Sequence, residues 1–65
     1  MKITINGEKT EVAATNMADL LVELGHAGAK LATALNEDFV PTTARADTPL
    51  EAGDRVEIVA PRQGG

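Results

Sequence analysis

The last residues of the chain offer the clearest chemistry, because Pro61, Arg62 and Gln63 lead into Gly64 and Gly65. Glycine has no Cβ, so a Gly-Gly segment is unrestricted in φ and narrow enough for a channel that would exclude any side chain. The five residues 61–65, if extended, reach roughly 16 Å. We expect a flexible tail that presents the α-carboxylate of Gly65 as its reactive group. The competing interpretation is a solvated terminus without a function.

Side chains that commonly perform catalysis are scarce in this chain. Cysteine and serine are absent, and the one histidine, His26, has no second metal ligand at a suitable spacing. Residues 25–28, Gly-His-Ala-Gly, lack the lysine and the length of a phosphate-binding loop. We therefore predict no catalytic residue, no metal site and no cofactor in this chain.

The composition argues against several classes of partner. The 65 residues carry a formal net charge of -4 and include one aromatic side chain, Phe39, which is a poor match to the basic, ring-stacking surfaces that bind nucleic acids. No apolar run approaches the roughly 20 residues that span a bilayer, and the N-terminus lacks the apolar stretch of a signal peptide. We predict a cytoplasmic protein, monomeric when free, that binds neither nucleic acid nor membrane.

A β-hairpin is predicted at the start of the chain. Residues 2–5 alternate polar and apolar side chains, which places the two isoleucines on an inward face. Asn6-Gly7 is the preferred pair for a type I′ turn, because both central positions of that turn need a positive φ. The second strand would run from Glu8 to Val12 at an edge of the sheet.

An amphipathic helix is predicted after the hairpin. Its apolar stripe consists of four residues at the i, i+3, i+4, i+7 spacing: Met17, Leu20, Leu21 and Leu24. Asn16 is a suitable N-cap, with Thr15 as the rival, and Gly25 can supply the left-handed residue that ends the helix.

Two short strands and a long connection are predicted next. Residues 31–35 and 39–40 read as strands on either side of a turn at residues 36–38, where asparagine and aspartate tolerate left-handed backbone. Residues 42–49 have no periodicity and read as a loop with room for one helical turn. Leu50 is the apolar residue expected to return the chain to the core.

The clearest strand in the sequence is the last one, residues 55–60. Its alternation directs the apolar side chains inward and Arg55 and Glu57 outward, near the start of the tail. Val59 breaks the alternation, so we expect partial cover on both faces of the sheet.

The order of elements, β-β-α-β-β-β, predicts an α+β fold in which one main helix packs on one face of a mixed sheet of four to five strands. If the first and last strands pair in parallel, the arrangement is the β-grasp, or ubiquitin-like, fold. We place this domain at residues 1–60 and the tail at residues 61–65.

Five segments together resemble the sulfur-carrier proteins of thiamine biosynthesis: residues 1–7, 18–21, 34–41, 50–58 and 63–65. Their order and spacing match that family over nearly the whole chain. The chain departs from the family's pattern at Thr42, where a basic residue is common, and in residues 43–48, which lack an aromatic. The family's packing of this loop and any partner contact there therefore do not carry over.

The resemblance implies a sequence of reactions on the tail. An E1-like enzyme would adenylate the Gly65 carboxylate with ATP, and a sulfurtransferase would deliver sulfur to give a thiocarboxylate. Thiazole synthase would then receive the sulfur during formation of the thiazole ring. The carrier would perform no catalysis. Its partner-binding residues would be those of the tail and of the last strand beside it: Arg55, Glu57, Pro61, Arg62, Gln63 and Gly64.

Three other functions remain open at this point. The small subunit of molybdopterin synthase shares the fold and the Gly-Gly end, although that class usually has a longer chain. A ubiquitin-like modifier would join its tail to a lysine in an isopeptide bond. A binding module of a different class would dock a partner on its sheet and make no use of the tail.

Overall fold

Seven elements of secondary structure are defined in the computed structural model, which describes residues 1–60. The strands are β1 (Lys2–Ile5), β2 (Glu8–Glu11), β3 (Ala32–Leu35), β4 (Asp38–Val40) and β5 (Arg55–Val59). The helices are α1 (Met17–Glu23) and a 3₁₀ helix (Thr42–Asp47).

The five strands form one mixed sheet in the order β2-β1-β5-β3-β4. β1 and β5 are parallel neighbours, whereas β1 with β2, β3 with β4 and β3 with β5 are antiparallel. The last strand of the sequence is therefore the central strand of the sheet. This arrangement confirms the predicted β-grasp fold.

Two tight turns close the antiparallel hairpins, and both begin with an asparagine in the left-handed region. Asn6 has a φ of 49° and Gly7 a φ of 85°, as the type I′ turn between β1 and β2 requires. Asn36 and Glu37 have φ values of 50° and 74° between β3 and β4. Asparagine is one of the few residues that tolerate this conformation well, because its short side chain can form local hydrogen bonds.

The α-helix packs on one face of the sheet and begins where the sequence predicts. The side chain of Asn16 accepts a hydrogen bond of 2.8 Å from the backbone N–H of Asp19, and Gly25, with a φ of 81°, follows the C-cap. Helix and sheet share one apolar core, whose least exposed members are Ile3, Met17, Leu20 and Val56. Leu50 is also buried, which confirms its predicted role as the anchor of the long connection.

The connection after β4 is more ordered than a loop, since it contains the six-residue 3₁₀ helix. Arg45 lies within this helix and is only 8% exposed, which the sequence did not predict. Its guanidinium donates hydrogen bonds to the hydroxyl of Thr33 and to the backbone carbonyl of Leu31. A buried arginine therefore packs this segment against the chain at Leu31 and Thr33.

The expectation of partial cover on both faces of the sheet was wrong. β5 alternates strictly between exposed and buried residues, and Val59 is 61% exposed. The apolar residue at this position therefore lies on the surface of the domain.

Other predicted features lie beyond the described residues or stay predictions. Residues 61–65, the predicted tail, are outside the part of the chain that the structure describes. Within residues 1–60, no helix is long and apolar enough to cross a membrane, and no three histidine, aspartate or glutamate side chains lie together as metal ligands would. The cytoplasmic location stays a prediction.

Candidate functional site

The face of the sheet opposite α1 forms the candidate site, and we call it the open sheet face. Strand alternation and register place these side chains on it: Lys2, Thr4, Lys9, Glu11, Ala32, Ala34, Phe39, Arg55, Glu57 and Val59. None of them belongs to the buried core. Because successive residues of a strand point to opposite faces, burying one set against the helix leaves the other set to solvent.

One end of the open sheet face is apolar, and we call its four residues, Ala32, Ala34, Phe39 and Val59, the apolar patch. Ala34 is the register partner of Phe39 on β4 and of Glu57 on β5, so these three side chains form one row. Ala32 is the partner of Val59 in the next row. Side chains directly opposite each other in such pairs lie about 4.5–5.5 Å apart at Cβ, so the patch is continuous.

Phe39 is the chain's one aromatic residue, and it does not lie in the core. Its side chain is 70% exposed, although burying a phenylalanine contributes about 1.5–3 kcal/mol to stability. Single exposed apolar residues are ordinary, but a contiguous patch rimmed by charged residues is typical of an interaction site. Phe39 and Val59 therefore lie exposed in one apolar area of the sheet surface.

Arg55 and Glu57 lie on the open sheet face, as predicted. Arg55 forms an exposed ion pair of 3.3 Å with Glu37 from the turn between β3 and β4. Exposed pairs of this kind contribute little to stability, so both charges stay available to a partner. Glu57 adjoins the apolar patch through Ala34. The structure thus places both residues where a partner could contact them, and their binding role stays a prediction.

The tail residues predicted for chemistry, Pro61 to Gly65, all lie outside the described residues. The structure does show where they are attached. β5 ends at Val59, which belongs to the apolar patch, and Ala60 is the last described residue. A partner bound over the patch would therefore lie beside the point from which the tail begins.

An additional contact at the end of β5 was not predicted. The side-chain oxygen of Asn6 accepts a 2.8 Å hydrogen bond from the N–H of Ile58, and its amide nitrogen donates a 3.0 Å hydrogen bond to the carbonyl of the same residue. The turn alone accounts for an asparagine at position 6, so no pattern in the sequence indicated a second role. We call this pair of hydrogen bonds the Asn6 clamp.

The family model and the solved structures point to one family. The model of the ThiS family matches residues 3–65. The crystal structure of a thiamine biosynthesis protein (ThiS) from Geobacter metallireducens superposes with a TM-score of 0.86, at 30% identity and over 100% of both chains. A solution structure of a thiamine biosynthesis protein from Geobacter metallireducens gives a TM-score of 0.80 at 30% identity, over 100% of this chain and 88% of that one.

A curated relative is much longer than this chain. A thiazole synthase from Paramagnetospirillum magneticum is 39% identical to it over 66 residues, a match that takes in 100% of this chain. The chain spans only 20% of the length of that relative.

Proposed function

Because the chain belongs to the ThiS family, whose members are small sulfur carriers of thiamine biosynthesis, we propose that it carries sulfur as a thiocarboxylate on Gly65. The observation that supports this most directly is the family match, which continues through the Gly-Gly pair to residue 65. The same match favours this function over the molybdopterin-synthase and modifier alternatives.

The proposed chemistry begins with activation of the Gly65 carboxylate. A carboxylate is a poor acyl donor, so an E1-like enzyme joins it to the α-phosphate of ATP and releases pyrophosphate. Sulfur at the oxidation level of sulfide, delivered by a sulfurtransferase, then attacks the acyl carbon. A C–S bond forms, the C–O bond to AMP breaks, and the products are a thiocarboxylate and AMP. The carrier contributes only the acyl group, so it needs no catalytic side chain.

The open sheet face is the surface we propose for docking. The apolar patch supplies area that is favourable to bury, and Arg55 and Glu57 supply charges at its border that can fix the orientation of a partner. Pro61, Arg62, Gln63 and Gly64 would then occupy a narrow channel that leads to the active site of the partner. A Cβ on either terminal residue would widen the chain at the point where the channel must be narrowest.

Thiazole synthase is the partner proposed to receive the sulfur. Members of the ThiS family work with this enzyme, and the curated relative named thiazole synthase contains a stretch that matches all of this chain. In that relative the two functions would share one polypeptide, which raises the effective concentration of carrier at the synthase. We propose that the chain described here makes the same contact through the open sheet face.

The experiment that tests the proposed function is an intact-mass measurement. The protein is incubated with ATP, a sulfide source and the E1-like enzyme encoded in the same genome. We expect its mass to rise by the difference between one sulfur and one oxygen atom. The matched control lacks only Gly65, should keep the melting temperature of the unaltered protein, and should show no change in mass.

Other outcomes of this measurement would contradict the proposal. A mass that stays constant with active enzyme, ATP and sulfide would contradict the proposed thiocarboxylate on Gly65. Adducts of much higher mass in the presence of lysine-containing proteins would favour a modifier. Full activity of the variant that lacks Gly65 in thiazole formation would favour a binding module that does not use its tail.

A further inference from the structure

We propose that Asn6 is a positioning residue, which sets the direction in which the chain leaves the sheet and thereby the rate at which Gly65 reacts within the complex with its activating enzyme. This inference rests on the proposed function of Gly65. It starts from the Asn6 clamp, which connects the first turn of the chain to the end of its last strand.

The clamp replaces a missing part of the ladder between β1 and β5. The backbone N–H of Asn6 donates a 2.9 Å hydrogen bond to the carbonyl of Val56, and this is the last backbone bond between the two strands. In β5 the backbone groups of every second residue point to the same neighbour, so those of Ile58 also point toward β1. There β1 has already turned away, and the carboxamide of Asn6 supplies one donor and one acceptor in its place.

Without this side chain, the end of β5 would be held on one side only. Val59 pairs with Ala32 on β3, but the N–H and carbonyl of Ile58 would have only water as partners. Strand ends that lack partners open more readily than paired ones. Losing the clamp should therefore loosen β5 from Ile58 onward while the core around Val56 stays packed.

A loosened strand end has a large effect on a distant terminus. Seven residues, 59–65, lie beyond Ile58, and an extended chain of that length reaches roughly 23–25 Å. A flexible tail does not transmit a direction rigidly. An end of β5 that takes more orientations would nevertheless start the tail from more positions, so Gly65 would lie in the reactive position a smaller part of the time. Misplacement of a reacting group by about 1 Å can cost on the order of a hundredfold in rate. The clamp therefore lies where it can affect the chemistry through the end of β5, without taking part in the reaction itself.

Asn36 provides a matched control at the other end of the same strand. It also begins a tight turn with a φ of 50°. Its side-chain oxygen accepts a 2.9 Å hydrogen bond from the N–H of Arg55, and its amide donates a 3.1 Å hydrogen bond to Asp54. Asn6→Gly and Asn36→Gly each remove two side-chain hydrogen bonds and keep a turn that glycine readily adopts. The two substitutions differ in which end of β5 they release.

The test compares the unaltered protein with Asn6→Gly and Asn36→Gly in ATP-dependent activation by the E1-like enzyme. We expect the two variants to lose similar amounts of melting temperature, whereas only Asn6→Gly lowers kcat, by on the order of tenfold or more. Hydrogen exchange at the Ile58 amide should be faster in Asn6→Gly alone. Binding of the enzyme to forms that lack Gly65 should be equal in all three proteins, because the open sheet face is intact.

The results that would overturn the inference are distinct from failure of the proposed function. An unchanged kcat in Asn6→Gly, or an equal loss of kcat in both variants, would reduce the clamp to a structural contact. Should Asn6→Gly not fold, Asn6→Asp keeps the acceptor for Ile58 but not the donor, and an unaltered rate in it would overturn the inference. If the unaltered protein itself is not activated, the proposed function fails instead.

Discussion

The guanidinium of Arg45 and the hydroxyl of Thr33 are joined by a 3.2 Å hydrogen bond inside the domain. The hydroxyl in turn donates a 2.8 Å hydrogen bond to the backbone carbonyl of Val40, and Arg45 also donates to the carbonyl of Leu31. Thr33 is 1% exposed and Arg45 is 8% exposed. A charged group can be buried in this way because each polar atom along the chain of contacts has a partner. These contacts fasten the 3₁₀ helix to β3 and β4.

Thr33→Val should destabilise the protein by about 1–3 kcal/mol, since it leaves a buried donor of Arg45 and the carbonyl of Val40 with fewer partners. Equilibrium unfolding in urea measures this change. Thr43→Val is the matched control: Thr43 lies exposed in the 3₁₀ helix, and the same substitution there should stay within about 0.5 kcal/mol. Equal losses of unfolding free energy in the two variants would mean that the buried hydrogen bonds of Thr33 do not stabilise the domain.

Comparing Arg45 with α1 shows which features of this fold can be predicted from the sequence. The stripe of α1 and its Asn16 cap depend on residues within eight positions of one another, so their pattern predicts them. The burial of Arg45 depends on Thr33, twelve positions away on another element, and charged residues are seldom buried. No local pattern marks such a contact.

In the candidate site, too, features set by local sequence were predicted and contacts between distant residues were not. Strand alternation predicts that Arg55 and Glu57 point outward, and they do. The apolar patch was not predicted, because it forms only when the register brings Phe39, Ala34 and Val59 from three strands onto one face. The Asn6 clamp joins residues 52 positions apart. It was not predicted, because the turn alone accounts for an asparagine at this position.

Phe39→Ala should leave the stability of the domain nearly unchanged but weaken its binding to the E1-like enzyme or to thiazole synthase. The side chain is 70% exposed, so it loses little on truncation in the free protein. In a complex it would be an aromatic anchor, whose removal costs about 1–2 kcal/mol, or roughly five- to thirtyfold in Kd. Calorimetric titration measures both affinities. Val22→Ala serves as the control, since Val22 is 62% exposed on α1, away from the open sheet face. An equal effect of the two substitutions would exclude the apolar patch as the docking surface.

Glu57→Lys should slow association with a partner more than the same charge change does elsewhere. The protein carries a formal net charge of -4, and we expect its partners to present complementary positive charge beside the patch. Glu51→Lys alters the net charge equally, and Glu51 is exposed outside the strands. Stopped-flow association rates at low salt should differ between the two variants by several-fold and converge at high salt, where exposed charges are screened. Identical rates at low salt would show that Glu57 does not face the partner.

The carboxylate of Glu11 should titrate at a lower pH than an ordinary glutamate. It lies 2.8 Å from the ammonium group of Met1, and the hydrogen bond from that group, together with its charge, holds the pKa of Glu11 below its usual value. A side chain whose pKa is lowered by folding stabilises the folded state above its ordinary pKa, and this contribution disappears as the pH falls through the lowered pKa.

Acetylation of Met1 removes the positive charge of the N-terminus and is the matched control for this ion pair. In NMR titrations of the Glu11 carboxyl carbon, the pKa should rise toward its usual value after acetylation. The difference in stability between the two forms should shrink as the medium becomes more acidic. An unchanged pKa after acetylation would mean that the ion pair between the N-terminus and β2 does not persist in solution.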